Sequence, residues 1–267
     1  IFFALKGDNF NGNLFAIDAL KKGASYAVVD EQLEKNNKLI LVDNVLTFMQ
    51  ELASFHRKCF DIPIIAIGGS NGKTTTKNLI VSVLKQKFKA HSTQGNFNNH
   101  IGVPISILNI PMDCEVAIIE LGTNHPGEIE ALCKITAPTH GLITNIGKEH
   151  LEGFGTLEAV AKEESEIYHY LLKNNGVALV SKDDDWLKRM SRSIQNIHYY
   201  SKNNVDIIST VPAIEILVEN RKIKSPLMGD YNLDNMLAAI TIGQQLGLTI
   251  DEIQSGIESY IPENNRS

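Results

Sequence analysis

The chain has 267 residues, 43% of them hydrophobic and 21% charged, a balance that supports a real core and either one large or two ordinary domains. A formal net charge of −6 excludes a general affinity for nucleic acid, although one local loop can still bind nucleotide phosphates. The three cysteines, Cys59, Cys114 and Cys133, form no C-x-x-C pair, which excludes a disulfide frame or zinc knuckle and predicts buried thiols in a reducing, cytoplasmic setting.

No apolar run reaches membrane-spanning length and no signal peptide is recognisable, so membrane insertion is not expected. Ile1 already lies in an apolar run, as if the chain began inside a domain. Residues 1–5 read as a strand, 14–22 as a helix, 25–29 and 39–42 as short strands, and 45–57 as a helix by the spacing of Leu46, Met49, Leu52, Ala53 and His56. Pro63 then marks a break before the next strand.

From residue 64 strands and helices alternate. Strands are predicted at 64–68, 89–92, 116–121, 141–146 and 176–181, and helices at 126–135 and 156–172, with a turn-rich stretch over 93–104. Uninterrupted apolar strands between helices predict a mostly parallel sheet covered on both faces, with ligands at the carboxyl ends of its strands. Residues 197–218 read as short strands forming an edge or antiparallel extension, and 231–246 and 249–260 as helices. No internal repeat or low-complexity tract is present.

The densest chemistry is at Gly69-Ser70-Asn71-Gly72-Lys73-Thr74-Thr75, between the strand at 64–68 and a helical segment beginning at Lys77. A glycine-rich loop at a helix N-terminus cradles anions, and a Lys-Thr pair beside it suits phosphate and Mg²⁺. Ile67 stands where the usual phosphate-loop pattern has its first glycine. Glu120 ends an apolar strand, where a carboxylate either holds Mg²⁺ or is simply a capping or surface acid. His150 is a loop residue or a metal ligand; a nitrogen ligand is unusual for magnesium. Asn232 and Asn235 share one face of a helix start, either as caps or as contacts to a base edge.

Four motifs carry a resemblance: the phosphate loop; Gly95-Asn96-Phe97-Asn98-Asn99-His100-Ile101-Gly102-Val103-Pro104; Glu120-Leu121-Gly122-Thr123-Asn124-His125-Pro126-Gly127-Glu128-Ile129; and residues 145–155 with His150. With Phe2-Phe3-Ala4-Leu5-Lys6-Gly7, Asp8 and Gly12 as well, the chain resembles the Mur ligases over essentially its whole length. These are ATP-dependent amide-forming enzymes of bacterial cell-wall synthesis, and the resemblance is strongest to the branch that adds D-alanyl-D-alanine to UDP-N-acetylmuramoyl-tripeptide.

The resemblance implies an α/β fold in which a P-loop-type central domain (residues 61–267) follows a small, partial UDP-binding α/β domain (residues 1–60), with the C-terminal domain lacking. It implies ATP and two Mg²⁺ ions as cofactors, the muramoyl-tripeptide and D-Ala-D-Ala as substrates, and a monomer. Gly69, Ser70, Asn71, Gly72, Lys73, Thr74 and Thr75 would hold the ATP phosphates, and Asn235 and Asn232 would face the adenine. Thr74, Glu120 and His150 would bind metal, Arg266 would approach the phosphates from a hinge, and Thr93, Asn96, Asn98 and Asn99 would line the substrate site.

Glu164 stands where the family usually has a carbamylated lysine, with Lys162 nearby. On a helix the two point about 200° apart, and Glu164 is the preferred source of the carboxylate. Another Mur-type or folylpolyglutamate-type ligase, or a non-ligase nucleotide switch, is the alternative.

Overall fold

A computed structural model of the chain describes residues 1–32, 35–147 and 154–262. The early part holds β1 (Phe2–Phe3), β2 (Lys6–Gly7), β3 (Phe10–Asn11), α1 (Ala16–Lys21), β4 (Ala27–Val29), β5 (Leu39–Leu41) and α2 (Val45–Arg57). Strands β1, β4 and β5 form a parallel three-stranded sheet over a cluster of Ala4, Ala16, Ala27, Val28, Val29 and Val45. Helix α2 faces two ways: Val45 joins that cluster, whereas Ala53 joins the core of the next sheet. Buried Arg57 fixes the end of α2 by donating to the carbonyls of Phe60, Thr136 and Ala137.

The chain then alternates β6 (Ile64–Gly68), α3 (Lys73–Leu84), β7 (Ala90–Ser92), α4 (Gly102–Leu108), β8 (Val116–Glu120), α5 (Glu128–Thr136), β9 (His140–Ile143), α6 (Leu157–Glu164), α7 (Glu166–Lys173), β10 (Val177–Ser181), α8 (Asp185–Met190) and β11 (Ile197–Tyr200). These six strands form one sheet in the order β11-β10-β9-β6-β8-β7, with every neighbouring pair parallel. Alternate residues separate its faces. Ile65, Ile67, Ile118, Leu142 and Leu179 pack against Leu79, Ile80 and Val83 of α3 and its neighbours, while Ile64, Ala66, Ala117, Ile119 and Ile143 pack against Val103, Ile129, Leu132, Ile167 and Leu171 on the other side. Burying each such Ile or Leu contributes about 2 kcal/mol at most, so the carboxyl rim of β6 stands on a stiff base.

The remaining elements are β12 (Asp206–Ser209), β13 (Ile214–Val218), β14 (Arg221–Ser225), α9 (Asp230–Gln245) and α10 (Ile250–Glu258). Residues 197–218 therefore divide: β11 is a parallel edge of the main sheet, whereas β12, β13 and β14 form a separate antiparallel sheet. The turn-rich stretch also hides a helix, α4, whose start is set by Asn99 accepting from the amides of Ile101 and Gly102. The helix expected over 156–172 is broken at Ser165, whose hydroxyl turns back to the Lys162 carbonyl. Cys114 and Cys133 are buried as expected, but Cys59 is exposed at the end of α2. No helix among the described residues is long and apolar enough to cross a membrane.

Candidate functional site

The site is built where chain order reverses, at the carboxyl ends of β6, β8 and β9. Ile67 pairs with Glu120 on β8, and Gly68 pairs with Ile143 on β9, so the next residues of all three strands converge. The loop leaving β6 needs its glycines. Gly69 has φ +109° and would drive a side chain into Thr144, and Gly72 has φ +82° at the start of α3, with Asn235 Oδ1 only 3.0 Å from where a Cβ would stand.

The two halves of the loop differ. In the first half, the amide of Gly69 donates to Glu164 Oε2 at 2.7 Å, that of Ser70 to the Asn145 carbonyl at 2.9 Å, and that of Asn71 to Asn145 Oδ1 at 3.1 Å. The segment after β9 adds further stitches: Thr144 Oγ1 and Asn145 Nδ2 donate to the Asn71 carbonyl, and the Gly147 amide donates to Ser70 Oγ. In the second half α3 begins, with the Thr76 amide donating to the Gly72 carbonyl. The N–H groups of Gly72, Lys73, Thr74 and Thr75 precede that first helical bond, so they are the donors an anion would take, aided by the helix dipole.

Lys73 curls back so that Nζ donates to the carbonyls of Gly69 and Ser70. Thr74 Oγ1 donates to Glu120 Oε2 at 3.1 Å. The Glu120 carboxylate is 2% exposed and is also held by Asn98 Nδ2 at 3.0 Å and by Lys77 Nζ at 3.6 Å. Lys77, itself 3% exposed, donates to the Thr93 carbonyl at 2.8 Å, and the Thr93 hydroxyl accepts from the Glu120 amide. Thr74 and Glu120 thus present oxygen donors beside the amides of the helix start, a set able to bind a hard cation next to a phosphate.

The other expected residues fall in distinct places. Asn232 and Asn235 are both buried; Asn235 accepts from Thr76 Oγ1 and donates to Asn232 Oδ1, so the pair lies against the loop's second glycine and the start of α3. Asn98 reaches Glu120, Asn99 caps α4, and Asn96 is exposed. Of the two candidates near the end of α6, Glu164 reaches the loop and Lys162 is exposed. Glu163 between them accepts from the amides of Gly127 and Ile129. His150 and Arg266 lie outside the described residues.

Sequence reading missed Lys77 and Thr144, and it gave Asn145 no role beyond opening the fourth motif. Lys77 is one helical turn beyond Lys73, a spacing that brings the two onto one side of α3 and was the available signal.

Burial pushes the Glu164 carboxyl up to about 7, against the opposing pull of Lys73 and the Gly69 amide. An unfolded chain ionises this group from about 4.5, while the folded chain keeps the proton until about 7, so its contribution to stability is present at low pH and lost across that window. Relative to Glu164→Gln, the parent is expected to lose about 3 kcal/mol of stability as pH rises through this window. Urea titrations at both ends measure it; parallel pH dependence of the two proteins would contradict the assignment.

The profile of the Mur ligase middle domain matches residues 67–243. A Synechocystis UDP-N-acetylmuramoyl-tripeptide–D-alanyl-D-alanine ligase is 35% identical over 98% of the chain. A crystal structure of MurF from Acinetobacter baumannii superposes over 98% of the chain and 60% of its own, with a TM-score of 0.88 at 28% identity. The ADP complex of MurF from Thermotoga maritima superposes over 97% of the chain and 63% of its own, with a TM-score of 0.83 at 28% identity. The chain spans 59% of the length of the Synechocystis relative. Its glycine-rich loop and the carboxylate facing it from β8 both fall within the matched segment, and the chain belongs to the Mur ligase family.

Proposed function

We propose that the chain is the nucleotide-binding part of an enzyme that uses ATP to join D-alanyl-D-alanine to UDP-N-acetylmuramoyl-tripeptide during peptidoglycan synthesis. The observation that carries this reading is the meeting of Lys73, Thr74 and Glu120 at one end of the sheet, beside the unbonded turn of a helix start in a loop whose first half is already fastened to the protein. The names of the ligases it resembles supply the acceptor and donor. Residues 1–60 would be part of a first domain that takes the UDP end of the substrate, in keeping with their own sheet and apolar cluster, and residues 61–267 the ATP-binding domain. On this reading the protein is a cytoplasmic monomer.

Thr74 and Glu120 fit a magnesium site, because both offer oxygen and both adjoin the place for phosphate; His150 would extend the donor set for a second ion. Among the described residues no three His, Cys, Asp or Glu side chains gather as a metal cluster, so phosphate and water oxygens would complete the shell. Magnesium, when bound, neutralises charge on the transferring phosphoryl group.

The chain's own residues do the rest. Lys73 leaves its loop carbonyls to meet phosphate oxygens, while the amides of Gly72 to Thr75 hold them in place. Asn235 and Asn232 support the loop from behind and flank the adenine end. Asn98 fixes Glu120, and Thr93, Asn96 and Asn99 form the neighbouring wall for the muramoyl-peptide.

The tripeptide carboxylate then attacks the γ-phosphorus: an O–P bond forms, the bond to the β-phosphate oxygen breaks, and ADP leaves. The D-Ala-D-Ala amine attacks the resulting acyl phosphate; the C–N bond forms, phosphate leaves with the C–O electron pair, and the amine gives up its proton to solvent. Placing the carboxylate in line is the main catalytic task. Incubating the full-length protein with ATP, Mg²⁺ and both substrates should release ADP and phosphate in step with the pentapeptide product. ATP binding with no thermal response to the UDP-muramoyl peptide would favour a nucleotide switch instead.

A further inference from the structure

We propose that Glu164 is a positioning residue for the phosphate loop: its carboxylate anchors the first amide of the loop so that the donors of the second half face the nucleotide. The proposal rests on the nucleotide-binding reading of that loop and assigns a role to the acceptor beneath it.

Glu164 closes α6 and is 2% exposed, yet its Oε2 lies 2.7 Å from the Gly69 amide. The strand has made room for it. A Cβ at Gly68 would stand 2.6 Å from Glu164 Oε2 and 2.5 Å from Ile167 Cδ1, so the carboxylate and its neighbour on α7 fill the space a side chain at 68 would need. Gly69 turns at φ +109° directly above this seat. Asn145 continues the pattern by taking the next two amides, those of Ser70 and Asn71. Three successive N–H groups therefore point to protein acceptors, which fixes the path of the chain into Gly72 and the first turn of α3. Glu164 and Lys162 both belong to α6, and its helical spacing turns Glu164 to the loop while leaving Lys162 at the surface.

An anchor and a metal ligand place different demands on this side chain. An anchor needs an acceptor oxygen at the right reach and no charge, since the partner is a neutral amide. A metal ligand needs the negative charge. Glutamine keeps the reach and one acceptor oxygen but loses the charge; aspartate keeps the charge and is one methylene short. The two variants therefore exchange ranks between the two roles.

Isothermal titration of ADP into the parent chain and into Glu164→Gln, Glu164→Asp and Glu164→Ala, each with Mg²⁺ and again with EDTA, separates them. Glu164→Gln is expected to bind within about threefold of the parent. Glu164→Asp and Glu164→Ala are expected to bind about tenfold or more weakly, because a buried amide has lost its partner and the loop its shape. The same losses are expected in EDTA. The proposal is overturned if glutamine binds as weakly as alanine, if aspartate binds like the parent, or if the losses disappear without Mg²⁺. Should Glu164→Ala fail to fold, the glutamine and aspartate pair still decides. A parent that binds no ADP in either buffer would overturn the nucleotide reading itself, and this proposal with it.

Discussion

Lys73→Ala is expected to abolish ATP-dependent turnover in the full-length protein, lowering kcat/KM by about a thousandfold or more, while the chain still folds. Two features set that size. Lys73 carries the positive charge beside the helix start, where phosphoryl transfer would build negative charge, and its two contacts are to carbonyls of its own loop. Removing it leaves no core cavity, and although Glu164 loses the pull of its charge, that carboxyl keeps the Gly69 amide, so melting should stay close to the parent's. ADP release in the presence of both substrates measures the effect. Turnover near the parental rate would show that the loop does not handle the reacting phosphate.

Glu120→Ala should act on both fold and chemistry. The carboxylate gathers Thr74, Asn98 and Lys77 at the end of β8, and removing it takes this carboxylate away from the Lys77 ammonium, itself 3% exposed. Breaking a buried pair from one side costs about 3 kcal/mol or more. The partial remedy is specific: adding Lys77→Met should recover much of the stability, because the buried charge that faced the lost carboxylate is gone, without restoring turnover. Chemical denaturation of the parent, single and double variants measures this. A single variant as stable as the parent, or a double variant with parental turnover, would mean that Glu120 is not the centre of this network.

Much of the frame could be read from residue order alone. The runs Ile64-Ile65-Ala66-Ile67 and Val116-Ala117-Ile118-Ile119 have no polar alternation because each strand is buried on both faces. Gly69, Gly72, Lys73 and Thr74 announced the loop, and Glu120 its strand-end position. What stayed hidden depends on long-range partners. Asn99 in an asparagine-rich stretch looks like one more turn residue until its side chain is seen to cap α4. Residues 197–218 carry short apolar runs that suit either a parallel edge or a hairpin, and only the pairing of Ala178 with Ile197 decides for β11. Lys77 resembles any solvent-facing helix lysine, yet α3 turns it toward Glu120. The resemblance pointed to Glu164 for its carboxylate, and helical spacing set it apart from Lys162; that its oxygen meets the Gly69 amide depends on α6 lying beneath the loop, a long-range contact residue order does not reveal.

The stitching of Asn71 to Asn145 spans 74 residues of sequence. A ribosome delivers the loop well before it delivers the asparagine that fixes it, and at ordinary elongation rates of about 5–20 residues per second the delay lasts several seconds. β8 emerges partway through that interval and β9 only near its end, so until then the apolar stretch of β6 is open on at least one side to chaperones or to wrong partners. If the loop holds a nucleotide as proposed, that competence arrives late in biosynthesis and all at once, when β9 pairs with β6 and the residues after it staple the loop.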